Sequence, residues 1–125
     1  MERWLNEFES ILEKNRADRA LIFKTPSQLN FEFKRTPYSF DPAKPVRTYA
    51  QVRADGNAAC AEAAAAIGAA ILNHGGKFDL CLKKDSTNAT HAVIIQDGVT
   101  FDPYGQYFTR GINACFKKPQ FFPVR

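Results

Sequence analysis

The most distinctive stretch of the sequence is Asn57–Gly76, NAACAEAAAAIGAAILNHGG, with nine alanines between Ala58 and Leu72. Alanine has the highest helix propensity, Asn57 is a suitable N-cap, and Gly75-Gly76 is a strong stop signal. The stretch therefore predicts a helix of about four turns over residues 58–72. Because its side chains are small, neighbouring elements can approach the helix closely, which predicts a central position in the fold.

The other elements are predicted from hydrophobic periodicity. Apolar residues recur at helical spacing over residues 2–16, and residues 36–46 contain three prolines, which favours an irregular segment. Strand-like patterns occur at 21–23, 31–34, 78–82, 90–96, 99–102, 106–109, 114–116 and 121–124. Together these patterns predict one α+β domain, residues 1–125, with helices packed on one side of an antiparallel sheet.

Composition and charge exclude several classes of protein. With 125 residues, 45% of them hydrophobic, the chain can bury a core, so collagen-like and disordered chains are excluded. The net charge is +4, but the basic residues are scattered, and no nucleic-acid partner is expected. The longest apolar run is shorter than the ~18 residues of a membrane span, and the first ten residues do not resemble a signal peptide. We therefore expect a cytoplasmic protein, or one delivered into the cytoplasm of another cell.

The cysteine count limits the possible pairings. Cys60, Cys81 and Cys115 cannot all form disulfides within one chain. An odd count indicates either a reducing compartment or one thiol that is kept free for chemistry. The sequence leaves both interpretations open.

Cys60 lies in the first turn of the predicted alanine-rich helix. Backbone N–H groups and the helix dipole favour a thiolate at this position, and the same N–H groups can stabilise a developing oxyanion. On a helical wheel Cys60 shares a stripe with Ala64, Ile67 and Ile71. The thiol is therefore expected to face the elements on which the helix packs.

A predicted hairpin brings a histidine close to an acid. Asp97-Gly98 between two apolar runs is a strong signal for a two-residue turn, which makes the numbers of facing residues add up to 195. Val93 then faces Asp102, and His91 lies diagonally across from Asp102 on the same side of the hairpin. A carboxylate at this position can orient an imidazole and stabilise its charged form.

These three residue types in this arrangement are what a cysteine nucleophile with an imidazole base requires. The hypothesis is that Cys60, His91 and Asp102 form a catalytic triad, with no cofactor and no metal. Taken singly, each residue has a simpler structural explanation, such as a buried thiol or a strand histidine. A shift of the hairpin register by one residue would place His91 and Asp102 on opposite faces.

The motifs around these residues resemble those of papain-like cysteine hydrolases with the order Cys, His, Asp. Thr90-His91-Ala92-Val93 and the segment 101–108, FDPYGQYF, are similar to the histidine and Asp-Pro segments of YopT-like effector peptidases and papain-fold toxin or deamidase domains. The likeness covers about Asp55–Phe108. It departs from the family pattern in the alanines around Cys60 and in the absence of an Asn between Asp-Pro and the following Tyr-Gly.

The resemblance implies a papain-like fold and a thiol hydrolase that acts on an amide of a protein substrate. The resemblance further implies that Cys60 is the nucleophile, that His91 is the general base and then the general acid, and that Asp102 orients His91. Peptide cleavage and glutamine deamidation share this chemistry, so both are retained, as is an effector or toxin domain. Asn57 and Gln51 precede the cysteine and are candidate side-chain oxyanion donors, although Asn57 is better explained as the helix cap.

Two interpretations from other classes are kept as alternatives. A metal site would draw its ligands from Cys60, His74, Cys81, His91 and Cys115, but their spacing matches no metal motif. A non-catalytic protein-binding module would instead bury Cys60 as part of its core. Its contact surface would be formed by Tyr104, Tyr107 and Phe108.

Overall fold

The computed structural model describes residues 2–41, 43–84, 90–105 and 112–117. The helices are α1 Glu2–Arg16, α2 Pro26–Lys34, α3 Tyr49–Asp55 and α4 Cys60–Asn73, and the strands are β1 Asp79–Lys84, β2 Thr90–Gln96, β3 Val99–Phe101 and β4 Ile112–Lys117. The strands form one antiparallel sheet in the order β3-β2-β1-β4. The α+β prediction is confirmed. No described helix is both long enough and apolar enough to cross a bilayer.

Helix α4 is the central element, as its alanines predict. It contacts α1, α2, α3 and β2, and most of its residues are buried on every side of the helix. Gly68 shows how close the neighbours come, because a Cβ at this position would lie 2.9 Å from the ring of Phe78 and 3.1 Å from Leu12. Small side chains are therefore required on α4 for the helices and the sheet to meet around it.

Helix α2 replaces a predicted strand. The strand patterns at 21–23 and 31–34 were wrong: residues 31–34 belong to α2, and of residues 21–23 only Leu21 is buried. Thr25 and Gln28 form a capping box at the start of α2, with Pro26 in the first turn. This local signal decides the conformation, because it satisfies two backbone donors that a strand would leave to distant partners.

Helix α3 was not predicted, although it carries the same signal. Thr48 and Gln51 form its capping box, and Gly56, with a φ of 76°, ends the helix in a left-handed conformation. Tyr49 anchors it to the core: this residue is buried, and its backbone N–H donates to Asn15 Oδ1 at 2.7 Å. At seven residues, α3 is too short for its periodicity to be seen in the sequence.

The β2–β3 hairpin has the predicted register. Ile94 pairs with Phe101 and Gln96 with Val99, so the facing numbers add up to 195. Asp97 and Gly98 have φ values of 50° and 79°, as a turn of this type requires. β1 ends two residues later than predicted, and the patterns at 106–109 and 121–124 lie outside the described residues.

The disulfide answers the question left open by the cysteine count. Cys81 on β1 and Cys115 on β4 face each other directly and form a disulfide. All three cysteines lie in the described part of the chain, and Cys60 is the free one.

Candidate active site

Cys60 is the first residue of α4, and its N-cap is Ala59 in an extended conformation. The prediction that Asn57 caps the helix was wrong, because Asn57 instead donates from its side chain to the carbonyl of Asp55 at 3.4 Å. The helix starts later because the Glu62 carboxylate accepts the N–H of Ala59 at 2.8 Å. Cys60 itself is buried, with 6% of its surface exposed.

The start of α4 offers backbone donors beside the thiol. The first backbone hydrogen bond of the helix runs from Ala63 to Ala59 at 3.1 Å, so Cys60, Ala61 and Glu62 have no acceptor within the helix. In the part of the chain that the structure describes, no other group accepts their N–H groups. Gln51, the other candidate donor from the sequence, caps α3 through its amide oxygen. The donors that the structure places beside the thiol are therefore the backbone N–H groups at the start of α4.

A partly buried ion pair, which the sequence did not reveal, determines where α4 starts. Arg47 donates from its backbone N–H and from Nε to Glu62 Oε2, at 2.7 and 2.8 Å, and from Nη2 to Oε1 at 2.8 Å. These hydrogen bonds to Glu62 raise the pKa of the guanidinium above its usual value. The acidic Glu62 in the first turn of α4 was the one sequence signal for this pair. Its partner Arg47 lies 15 residues upstream in an irregular segment, so the pairing could not be predicted.

We expect Glu62→Ala to lower the free energy of unfolding by about 3 kcal/mol, because it leaves Arg47 partly buried without its main partner. Urea unfolding measures this as a lower midpoint at unchanged slope. Asp55→Ala is the matched control: Asp55 bonds the same arginine at 2.8 Å but is half exposed, so its loss costs about 1 kcal/mol or less. Equal losses in the two variants would contradict the assignment of Glu62 as the main partner.

His91 and Asp102 meet as the hairpin register predicts. His91 Nε2 lies 2.5 Å from Asp102 Oδ1, and His91 is 1% exposed. Burial lowers the pKa of His91, but the hydrogen bonds and negative charges of Asp102 and Cys60 outweigh it and raise that pKa to about 9. Burial likewise raises the pKa of Asp102, but the bonds to His91 and Lys83 outweigh it and leave that pKa below its usual value.

Cys60 completes the cluster from the side of the helix. Its Sγ accepts the backbone N–H of Ala92 at 3.5 Å, which holds the sulfur against β2 beside His91. Interactions with Cys60 are among those that raise the pKa of His91. Since Asp102 occupies Nε2, Nδ1 is the ring nitrogen available to the thiol. The three residues singled out from the sequence thus lie together in the order Cys, His, Asp.

Two further residues contact Asp102, and neither was expected from the sequence. Lys83 Nζ lies 3.2 Å from Asp102 Oδ2. Gly105 packs against the same carboxylate so closely that a Cβ would lie 2.7 Å from Oδ2. The position of Lys83 depends on the pairing of β1 with β2, and the sequence of residues 85–89, DSTNA, contains no Asp-Gly or Asn-Gly signal that would have predicted this pairing.

The turn that follows β3 holds Asp102 in place. The N–H of Gly105 donates to the carbonyl of Asp102 at 3.2 Å, and Asp-Pro-x-Gly is a favourable sequence for such a turn. Tyr104 is buried in this turn, and its hydroxyl donates to the carbonyl of Thr36 at 3.1 Å. Tyr104 therefore does not belong to an exposed contact surface, contrary to the binding-module alternative, while Tyr107 and Phe108 lie outside the described residues.

A cleft of about 640 Å³ opens at the start of α4. Ala59 and Ala61, the two neighbours of Cys60, line one wall, and residues of the irregular segment line the other. These residues of the second wall are Ser39, Phe40, Asp41, Lys44, Pro45 and Val46. Cys60, His91 and Asp102 are not among its lining residues, so the cleft adjoins the start of α4 but does not contain the three candidate residues.

The residues of the metal-site alternative are not brought together. Cys81 and Cys115 are consumed by the disulfide, and His74, the C-cap of α4, has its Nε2 3.2 Å from the carbonyl of Lys24. Within residues 2–41, 43–84, 90–105 and 112–117 no three potential metal ligands cluster.

Comparisons of the chain with protein-family models, with curated proteins and with solved structures gave no match.

Proposed function

We propose that the protein is a papain-like cysteine hydrolase that cleaves an amide bond of a protein substrate. The observation that carries the proposal is the position of His91, buried between a free thiol at a helix start and a carboxylate that holds its ring. This arrangement is the one that nucleophilic catalysis by cysteine requires. The same arrangement of nucleophile, base and orienting residue recurs on unrelated folds.

The reaction follows from the positions of the three groups. The proton of Cys60 Sγ lies on His91 Nδ1 when the thiolate attacks the amide carbon, which becomes tetrahedral. The N–H groups at the start of α4 stabilise the negative oxygen that forms. His91 then returns the proton to the leaving nitrogen, the C–N bond breaks, and an acyl thioester remains on Cys60. Water, activated by His91, hydrolyses the thioester and restores the thiol.

Asp102 and the charge of His91 suit this sequence of steps. Asp102 holds Nε2, which directs Nδ1 to the sulfur and stabilises the imidazolium that forms. Because burial is outweighed by the bonds to Asp102 and Cys60, the pKa of His91 is raised to about 9, and the ring remains a proton donor at neutral pH. A leaving amine needs such a donor, whether it departs as a peptide amine or as ammonia from a glutamine side chain.

The first test is the reactivity of the Cys60 thiol. Iodoacetamide labelling is followed by mass spectrometry between pH 4 and pH 9, with glutathione as the reference thiol and the disulfide left intact. We expect Cys60 to react at least about tenfold faster than glutathione at pH 6, because a neighbouring imidazolium stabilises the thiolate. In His91→Gln we expect this fast labelling at acidic pH to be lost. Labelling no faster than that of glutathione, and insensitive to His91, would refute the proposal.

The second test identifies the bond that is cleaved. Purified protein and its Cys60→Ala variant are incubated with a cell extract, and new peptide N-termini and glutamine-to-glutamate conversions are quantified by mass spectrometry. New N-termini that depend on Cys60 identify a peptidase, whereas conversions that depend on Cys60 identify a deamidase. Products formed equally by both proteins argue against catalysis by this thiol.

A further inference from the structure

Lys83 and His91 are two neighbouring positive groups that share one carboxylate, Asp102. The two residues are directly opposed on β1 and β2, and directly opposed side chains in an antiparallel pair share a face. Lys83 has only 18% of its side chain exposed, and His91 lies deeper still. Two cations at this position repel each other unless an anion lies between them. Asp102 is that anion, with His91 at Oδ1 and Lys83 at Oδ2.

Gly105 constrains the same carboxylate from a third direction. A Cβ at Gly105 would lie 3.0 Å from the Asp102 Cγ and closer still to Oδ2. The carboxylate is therefore bonded at each oxygen and packed against the backbone of the turn. A group held in this way cannot rotate about its terminal bond without losing a charged partner.

We propose that Lys83 is a positioning residue of the candidate active site, which acts on His91 through Asp102. The inference rests on the proposed function. By bonding Oδ2, Lys83 fixes the carboxylate plane, and this plane fixes the direction in which His91 Nδ1 points. By sharing the charge of Asp102, it also weakens the stabilisation of the imidazolium by Asp102. His91 can then release its Nδ1 proton to the leaving nitrogen.

The charged groups that face His91 come from three elements. Cys60 belongs to α4, Lys83 to β1, and Asp102 to the turn after β3. Removing the charge of Lys83 leaves Asp102 to interact with His91 alone, so the ring should keep its proton to higher pH. Displacing Asp102 should do the opposite, because the ring then loses its anionic partner.

The test uses the ring resonances of His91 in isotope-labelled protein, titrated by NMR, with His74→Gln as background to leave a single histidine. In Lys83→Met we expect the ring to titrate about one pH unit higher, which is a tenfold tighter hold on the proton, because a nearby like charge has been removed. Lys83→Arg retains the charge and should titrate as the parent does. Lys77→Met, at an exposed lysine, removes the same charge elsewhere and controls for net charge.

Gly105→Ala supplies an independent variant with the opposite expected sign. The added methyl pushes the carboxylate away from its present position, so the ring should titrate lower, although no charge has changed. In both Lys83→Met and Gly105→Ala the rate of the Cys60-dependent reaction should fall by about tenfold, since misplacement of a supporting group weakens catalysis. Lys83→Gln replaces Lys83→Met if the latter does not fold.

The outcomes separate this inference from the proposed function. If Cys60 shows His91-dependent reactivity but Lys83→Met changes neither the titration of His91 nor the rate, Lys83 is not a positioning residue and the hydrolase proposal stands. If Lys83→Met lowers only the midpoint of unfolding, its role is structural and the inference is wrong. If Cys60 is unreactive in the parent protein, the proposed function fails, whatever the titrations show.

Discussion

Cys60→Ala is expected to leave the fold intact and to lower hydrolysis by about 10⁵-fold or more, the scale of losing a covalent nucleophile. Helix α4 already consists largely of alanine, so a further alanine at its first position keeps the helix propensity and the packing. The measurement is the rate of product formation on the substrate found in the extract, together with the thermal midpoint. We expect the free energy of unfolding to change by about 1 kcal/mol or less.

The same variant provides a readout that needs no substrate. The hydrogen bond and the negative charge of Cys60 are among the interactions that raise the pKa of His91 to about 9. In Cys60→Ala the ring of His91 should therefore titrate at lower pH, while Asp102 still holds Nε2. A His91 titration that is identical in the two proteins would show that thiol and imidazole do not interact, and the mechanism proposed above would be wrong.

Asp102→Asn is expected to lower hydrolysis by roughly 10³- to 10⁴-fold, the effect of the analogous change in other triads. The amide has nearly the same shape as the carboxylate but no charge, so it neither stabilises the imidazolium nor enforces the proton position at Nε2. The pKa of His91, raised to about 9 in the parent, should fall. Thr100→Asn, at an exposed position of β3, tests whether an added amide on this hairpin has any effect by itself.

The raised pKa of His91 also makes the stability of the protein depend on pH. The pKa of His91 rises from 6.5 to about 9 on folding, so the folded state binds its proton more tightly than the unfolded state. The contribution to stability is complete below about pH 6.5 and is lost as the pH rises through about 9, up to about 3 kcal/mol in all. In Asp102→Asn this loss between pH 6.5 and 9 should be smaller, as measured by urea unfolding at a series of pH values. An equal loss in both proteins would mean that Asp102 does not hold the imidazolium.

Local sequence signals were sufficient to predict those parts of the protein that depend on neighbours along the chain. The alanines and Gly75 predict α4, and Asp97-Gly98 sets the hairpin register, because a two-residue turn allows one alignment only. From that register alone the contact between His91 and Asp102 follows. The missed helices carried equally local signals, the capping boxes at Thr25 and Thr48, which decide the conformation more strongly than a few alternating apolar residues.

The contacts between these local elements depend on how the whole chain packs. The true start of α4 depends on Glu62 and on Arg47, which reaches it from an irregular segment, and the sulfur of Cys60 meets His91 because α4 packs on β2. Lys83 reaches Asp102 only through the pairing of β1 with β2. These contacts join residues whose relative positions result from packing of the whole core. No spacing along the chain encodes them, since loop closure between distant segments is compatible with many alignments and burial selects one.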